Sequence, residues 1–200
     1  FDGALDLFDN QIRPRMQATQ SAFSIVYSSS LMYRLLFVDP QNRSFGNDAI
    51  EERCKDVFEV AKQYFDRHVL GFTNAHFLMA CLGSGNKLEA TELVDSFKDS
   101  KLAELHPDYS VMVRKLMSAM VDYDREHFDK ATDTLNSIKD SIYMLGGSNA
   151  QRDVFNQLHL VCALKSSKDE HKKTLQELVK EREVFEQNDR FLLGKVVAKK

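Results

Sequence analysis

Apolar residues in this 200-residue chain recur at steps of three and four, the period that gives an amphipathic helix one oily side. Ile50, Cys54, Val57, Phe58, Ala61, Tyr64 and Phe65 form the clearest stripe and predict a helix from Asp48. Before it, Ala4, Leu5, Phe8 and Ile12 share one face of an opening helix expected to end near Pro14. Phe23, Val26, Tyr27, Leu31, Leu35 and Leu36 give the core side of a second helix from about Gln17 to Val38. It should stop at Asp39-Pro40, since the residue before a proline avoids the helical region, and Gln41 to Asn47 reads as a polar loop.

Further on, a helix from Asn74 to about Leu82 is broken by Gly83-Ser84-Gly85-Asn86, after which Leu88, Ala90, Leu93, Val94 and Phe97 resume the spacing. Between about Tyr109 and Leu145 a first helix carries Val113, Leu116, Met117, Ala119 and Met120. A second, starting at Phe128, uses Ala131, Leu135, Ile138 and Ile142. Past Gly146-Gly147, Ser148 and Gln151 make a capping-box pattern, and Val154, Phe155, Leu158, Val161 and Cys162 line the core side of the helix it opens. A charged helix from about Asp169 packs through Leu175, Leu178, Val179 and Phe185, and Phe191, Leu192, Val196 and Val197 suggest a short closing helix.

Two stretches, Phe1-Asp2-Gly3-Ala4 and Phe128-Asp129-Lys130-Ala131, repeat an aromatic, an acid, any residue and an alanine, as the second helix of a tetratricopeptide-type hairpin does. Ala119 and Ala131 stand twelve apart, the spacing of the small residues that let paired helices approach, whereas Ala80 and Ala90 are ten apart. From Ala90 to Ala131 the chain advances forty-one residues, more than the roughly 34 of a regular array. The expectation is an all-α fold, an α-α superhelix (solenoid) of divergent tetratricopeptide-like hairpins, forming one domain over residues 1–200. Because Phe1 enters at a second helix, the chain is expected to be the carboxy-terminal part of a longer solenoid.

Composition narrows the partners. A hydrophobic content of 43% supplies a core, and eight Gly, three Pro and no Trp favour helix. A formal net charge of -3 with interspersed signs gives no broad positive field, so nucleic acid is not an expected partner. The basic end at Lys195, Lys199 and Lys200 reads as solvated. Cys54, Cys81 and Cys162 are odd in number, far apart and in apolar surroundings. They read as buried thiols in a reducing compartment, not as a disulfide framework or a zinc clip. With no apolar run near the roughly 18 residues of a membrane span and no leader pattern, membrane insertion is not expected and the expected location is the cytoplasm.

The run Gly146-Gly147-Ser148-Asn149-Ala150-Gln151-Arg152-Asp153-Val154-Phe155 resembles a signature of the tetratricopeptide repeat protein 38 family. Ala4-Leu5-Asp6-Leu7-Phe8-Asp9, Met32-Tyr33-Arg34-Leu35, Asp66-Arg67-His68 and Asn74-Ala75-His76-Phe77-Leu78-Met79-Ala80 agree with it in order. The resemblance covers nearly the whole chain and implies a superhelix of helical hairpins, here its carboxy-terminal half, that mediates protein interactions. It implies no defined activity. The Gly-Ser-Gly turn, the short gap before Val111 and the lysine-rich end depart from the pattern.

Arg152, Asn156 and His159 lie at i, i+4 and i+7, a polar stripe opposite the apolar one, with Asn149 one turn ahead. Arginine grips a carboxylate with its planar fork, so this stripe is a candidate seat for a peptide carboxylate. Equally, Arg152 or Asp153 could tie the helix to the preceding loop. His68 and His76 flank an expected turn, near Asp66 and Asn74. Their spacing fits no metal motif, and capping or interhelix hydrogen bonds account for them. Asp122, Asp124, Arg125, Glu126 and His127 crowd a segment expected to face solvent and lacking the glycine a calcium loop needs. Gly146-Gly147-Ser148 could cradle an anion but serves more simply as a turn. Ser28-Ser29-Ser30 has no nearby base and suits a close helix contact.

No catalytic, cofactor or metal motif stands out, so the expected function is a non-catalytic scaffold presenting a concave surface to a protein or peptide. The candidate binding residues are Arg152, Asn156, His159, Asn149, His76 and His68. Homo-oligomeric self-assembly is the alternative. A third reading is an enzyme whose site is shared with an absent amino-terminal half and uses His68, His76 and Arg152.

Overall fold

The computed structural model describes residues 2–38 and 47–185, and these form an all-helical protein with no strand among the described residues. Phe1, the Asp39-Pro40 stop and most of the polar loop after it lie outside the described residues. So do the side chain of Phe185, the closing helix at Phe191, Leu192, Val196 and Val197, and the terminal lysines.

The chain opens with α1 (Asp2–Leu7), a wider π-helical turn (Phe8–Ile12) and α2 (Arg13–Thr19). Pro14 does not end this run, contrary to the expectation from the sequence. It sits in the first turn of α2, where a missing N–H costs nothing. The break comes at Gln20, whose φ of 46° is left-handed and whose N–H donates to the Met16 carbonyl. Gln17 therefore belongs to the first run, and α3 (Ala22–Val38) starts later than expected.

There follow α4 (Asn47–Ala61), α5 (Gly71–Gly83), α6 (Lys87–Lys98), the five-residue α7 (Lys101–Leu105), α8 (Pro107–Asp124) and α9 (Phe128–Asn136). A 3-10 run (Lys139–Leu145), α10 (Asn149–Lys165) and α11 (Asp169–Phe185) complete the described chain. The second helix of the Phe128 pair thus ends at Asn136 instead of running on to Leu145. Ile138 keeps its core position without being helical, and Ile142 is half-buried.

Short turns force neighbours to reverse and pack. Between α5 and α6, Gly85 at φ 75° lets the Asn86 N–H reach back to the Cys81 carbonyl at 2.9 Å, closing the helix end in the way a left-handed cap does. Between α8 and α9, Glu126 at φ 60° does the same for His127 and the Asp122 carbonyl, 2.8 Å apart. Ala119 and Ala131, on the facing sides of that pair, are fully buried, so the small-residue spacing corresponds to a close approach.

The core centres on α5, where every residue from Asn74 to Leu82 is buried. It is enclosed by α3, α4, α6 and α8. Ser28 and Ser29 are buried on α3, which packs closely on α5. Helix α10 packs on α9 and α11 and also returns to α3, where Arg34 Nη2 donates to the Ala150 carbonyl at 3.0 Å. Phe23 and Tyr27 of α3, expected on its core side, are 64% and 57% exposed. Val26 and Leu35 of that side are buried as expected, and the wall that covers this helix also reaches Ile25, Met32 and Tyr33.

Gly71 marks the tightest approach. A Cβ there would lie 2.3 Å from Val113 Cγ2 and 2.9 Å from the Tyr109 hydroxyl, which accepts the Gly71 N–H at 3.0 Å. Valine is stiff at χ1, so it cannot swing away. Gly71→Ala is expected to lower stability by about 2 kcal/mol, read as a drop in the urea midpoint. Adding Val113→Ala should recover part of the clash, and unchanged stability in the single variant would refute this packing.

Candidate functional site

The capping box forms at Ser148: its hydroxyl accepts the Gln151 N–H at 3.2 Å, and the Gln151 side chain accepts the Ser148 N–H at 2.8 Å. That cap fixes where α10 begins and so which of its residues face outward. Between this outward side, the 3-10 run, the end of α9 and α11 lies a cavity of about 590 Å³. Its apolar floor includes Leu135, Ile138, Phe155, Leu160 and Leu178, and its polar lining includes Asn149, Arg152, Asn156 and His159. The structure brings four of the six candidate residues together here. Lys139 and Glu181, 3.9 Å apart, reach across from the 3-10 run to α11.

Arg152 is committed to the turn before it. Its Nη1 donates to the Gly146 carbonyl at 2.9 Å and to the Gly147 carbonyl, and its Nη2 donates to Asn149 Oδ1. These partners are neutral oxygens, so the guanidinium charge meets no carboxylate in them. Gly146 and Gly147 hold φ of 86° and 71°, and a Cβ on Gly147 would touch the Phe72 ring at 2.9 Å. The glycine pair acts as a turn.

Asp153 ties helices instead of the loop. Arg182 Nη1 of α11 stands 2.7 Å from its Oδ1, Arg34 Nη2 of α3 is 3.6 Å from its Oδ2, and Gln157 Nε2 donates to Oδ2. His159 is buried, and its Nε2 donates to Asn136 Oδ1 at 3.0 Å, which fixes the ring proton on that nitrogen. Burial first, then the charges of Lys139 and His171, push this histidine down to about 4. Asn156 is exposed to the cavity side.

His76 does not flank a turn. It lies inside α5, fully buried, with Nδ1–H donating to the Phe72 carbonyl at 2.8 Å and its ring edge-on to Phe155 at 5.4 Å. Since Phe155 also lines the cavity, His76 stands one layer behind the cavity floor. Burial pushes it down to about 4 and leaves Nε2 without a hydrogen-bond partner. His68 is elsewhere: its Nδ1 is 2.9 Å from Asn74 Oδ1 and its ring packs edge-on to Phe97. Asp122, expected at the surface, is buried in α8 and contacts Lys130 Nζ at 3.1 Å. The three cysteines are free and buried, and burial raises Cys54 and Cys162 to about 12 and Cys81 further, so their thiols stay protonated and unreactive.

Sequence reading missed a second polar centre at the α10–α11 turn. There Ser166 Oγ is 2.6 Å from His171 Nδ1, and His171 Nε2 is 2.9 Å from Asp133 Oδ1. A hydroxyl, an imidazole and a carboxylate in series is the wiring of a nucleophilic serine. Here the hydroxyl already donates to Asp129 Oδ1 at 2.6 Å, so it has no proton to give the ring. Asp133, Glu170 and His171 also offer ligand atoms within 4.8 Å of one another. The Lys168 ammonium, 2.7 Å from Asp133 and 3.5 Å from Glu170, supplies the positive charge there. The only sequence signal was Asp129 and Asp133 one turn apart on a short helix.

No family model matches this chain, and no solved structure matches it. No helix among the described residues is long and apolar enough to cross a membrane.

Proposed function

We propose that the protein is a non-catalytic interaction scaffold of stacked tetratricopeptide-like hairpins, akin to the carboxy-terminal half of the tetratricopeptide repeat protein 38 family. On this reading the cavity beside α10 seats a peptide segment of a partner protein. The observation that carries it is the convergence of Asn149, Arg152, Asn156 and His159 on one cavity with an apolar floor. Its volume lies within the roughly 300–1,000 Å³ of ligand pockets. The inner helix α5 is enclosed and has little surface to offer, so the working surface is this cavity and not an open inner wall.

The segment it fits ends in an apolar residue with a free carboxylate. Arg152, whose hydrogen-bond partners are neutral oxygens, contributes a positive charge to a cavity that Lys139 and Arg182 and the carboxylates of Asp140, Asp153 and Glu181 also line, while the floor takes the side chain. Peptides of that kind, titrated by calorimetry, are expected to bind, and amidating their carboxyl end should weaken them about tenfold or more, as loss of a charged hydrogen bond does. Asn156→Trp, which fills the cavity from an exposed position, should abolish binding with the fold intact. Equal affinity for free and amidated peptides would reject the carboxylate assignment, and equal affinity in the tryptophan variant would reject the cavity.

Self-association is the second reading, favoured by Phe23 and Tyr27, one turn apart and exposed on α3. It requires a mass in light scattering that grows with concentration and reverts in Phe23→Ser.

A further inference from the structure

A second hollow, of about 350 Å³, opens between α8 and α9 and shares no lining residue with the cavity beside α10. Helix α8 reaches it at Val111, Arg114, Lys115 and Ser118, whose steps of three and four put them on one face. Helix α9 supplies Lys130 and Thr134, one turn apart. Three cationic side chains thus meet at one small hollow of a chain whose formal net charge is -3. Asp122 is the single carboxylate among the lining residues.

Two of the cations are held in place. Lys130 of α9 donates across the hollow to the buried Asp122 of α8 at 3.1 Å. Lys115 of α8 reaches the opposite way and donates to Ser137 Oγ at 3.2 Å. That hydroxyl gives its own proton to the Thr134 carbonyl at 2.7 Å, so it accepts from the lysine. An ammonium has three protons, and each lysine therefore keeps donors for a guest. The charges differ in their cover. Asp122 answers Lys130, whereas Lys115 has a neutral partner and the half-buried Arg114 has no acidic partner among the described residues. Gathered like charges repel unless a counter-charge enters.

We propose that this hollow seats the phosphomonoester group of a phosphorylated serine or threonine on a partner protein. A carboxylate brings one charge and two oxygens, while a phosphoserine brings about -1.5 to -2 charge and three strong acceptor oxygens. Arg114 grips two of those oxygens with its planar fork, Lys115 meets the remaining charge, and the hydroxyls of Ser118 and Thr134 complete the donors. A nucleic acid would need a track of cations for successive phosphates, and an anionic membrane a wider basic face. One hollow supplies neither. Val111, 49% exposed on the same face, offers an apolar rest for the residue next to the phosphate. The site depends on other residues than the cavity beside α10 and stands whether or not that cavity binds a peptide.

The test takes the intact protein and three probes: inorganic phosphate, a peptide mixture with a fixed central phosphoserine and degenerate flanks, and vesicles containing a phosphoinositide. In amide spectra, phosphate is expected to shift signals around Arg114 and Thr134 saturably, and sodium chloride at matched ionic strength should leave them in place. The phosphorylated mixture should bind more tightly than phosphate alone, and the same mixture without phosphate should not bind. Arg114→Gln and Lys115→Gln should each weaken phosphate and phosphopeptide about tenfold or more, as loss of a charged hydrogen bond does. Circular dichroism checks that each variant is folded, and either one alone suffices. Asn156→Trp, which fills the other cavity, should leave phosphate binding unchanged, so the two sites fail separately. Equal phosphate affinity in the wild type and the folded variants, or shifts that follow ionic strength alone, would overturn the site. Phosphate binding with no preference for the phosphorylated mixture, or capture of vesicles but not of that mixture, would overturn the phosphoprotein as its guest.

Discussion

Acidifying the protein from about pH 7 to about pH 5 is expected to remove about 3 kcal/mol of folding stability through His76 and His159 together. Both rings are held neutral by burial, with folded values of about 4, whereas in the unfolded chain a histidine takes up its proton near ~6.5. Between those values the unfolded state binds more protons, so stability is lost as the pH drops, by up to about 1.4 kcal/mol per unit for each ring. Above the unfolded value their contribution is complete, and once the pH is below the folded value the loss is complete. Asp9, Asp129 and Asp133 are held below their ordinary range by Arg53, Ser166 and Lys168 respectively. Their contributions last through this window and fade only at lower pH. Substitution separates the terms: His76→Leu keeps the volume between Phe72 and Phe155 and should take away about half of the acid slope in urea unfolding. A variant with the wild-type slope would mean that His76 is not a buried neutral ring.

Asp153→Ala is expected to cost about 3 kcal/mol, at the lower end of what breaking a buried ion pair costs. One carboxylate there serves Arg182, whose side chain is 8% exposed, as well as Arg34 and Gln157. Removal takes away the carboxylate 2.7 Å from a desolvated guanidinium and loosens α10 from both α11 and α3. By contrast, Asp169→Ala breaks an exposed pair with Lys172, at 2.6 Å, that solvent already screens. Such pairs contribute roughly 0–1 kcal/mol. Equilibrium denaturation of the two variants side by side is the check. A similar small loss in both would show that Asp153 is no more than a surface charge, and loss of α11 protection alone would confine its role to that helix.

The helices themselves were legible wherever one side of the chain meets one wall. The stripe from Ile50 to Ala61, the capping box at Ser148 and the turn glycines at Gly85 and Gly146-Gly147 all express local rules that need no partner. Where a helix is enclosed on several sides the periodicity carries no direction: α5 buries Leu78, Met79, Ala80 and Cys81 in succession, and its depth could not be read from spacing. Phe23 and Tyr27 fit the apolar pattern of α3 yet stay exposed, because which flank is covered is decided by α5 and α10, far along the sequence. At the candidate site, the stripe of Arg152, Asn156 and His159 followed from helix geometry. What it could not convey is that Arg152 gives three hydrogen bonds to the turn and Asn149, that Asn136 anchors His159, or that Asp153 is a junction of three helices. Ser166 and His171 escaped notice for the same reason: their partners, Asp129 and Asp133, lie almost forty residues away, and hydrogen bonds at that separation leave no mark in a local pattern.

The meeting of α3 and α10 bears on how the molecule comes apart. Arrays whose units touch only their neighbours can fray from an end one unit at a time. Here Arg34 and Ala150, 116 residues apart, stitch an early helix to a late one, so neither can peel away without opening α5 and its surroundings. Melting of that body becomes an all-or-none event, and α11, whose described apolar side chains are only half-buried, is the piece expected to detach beforehand.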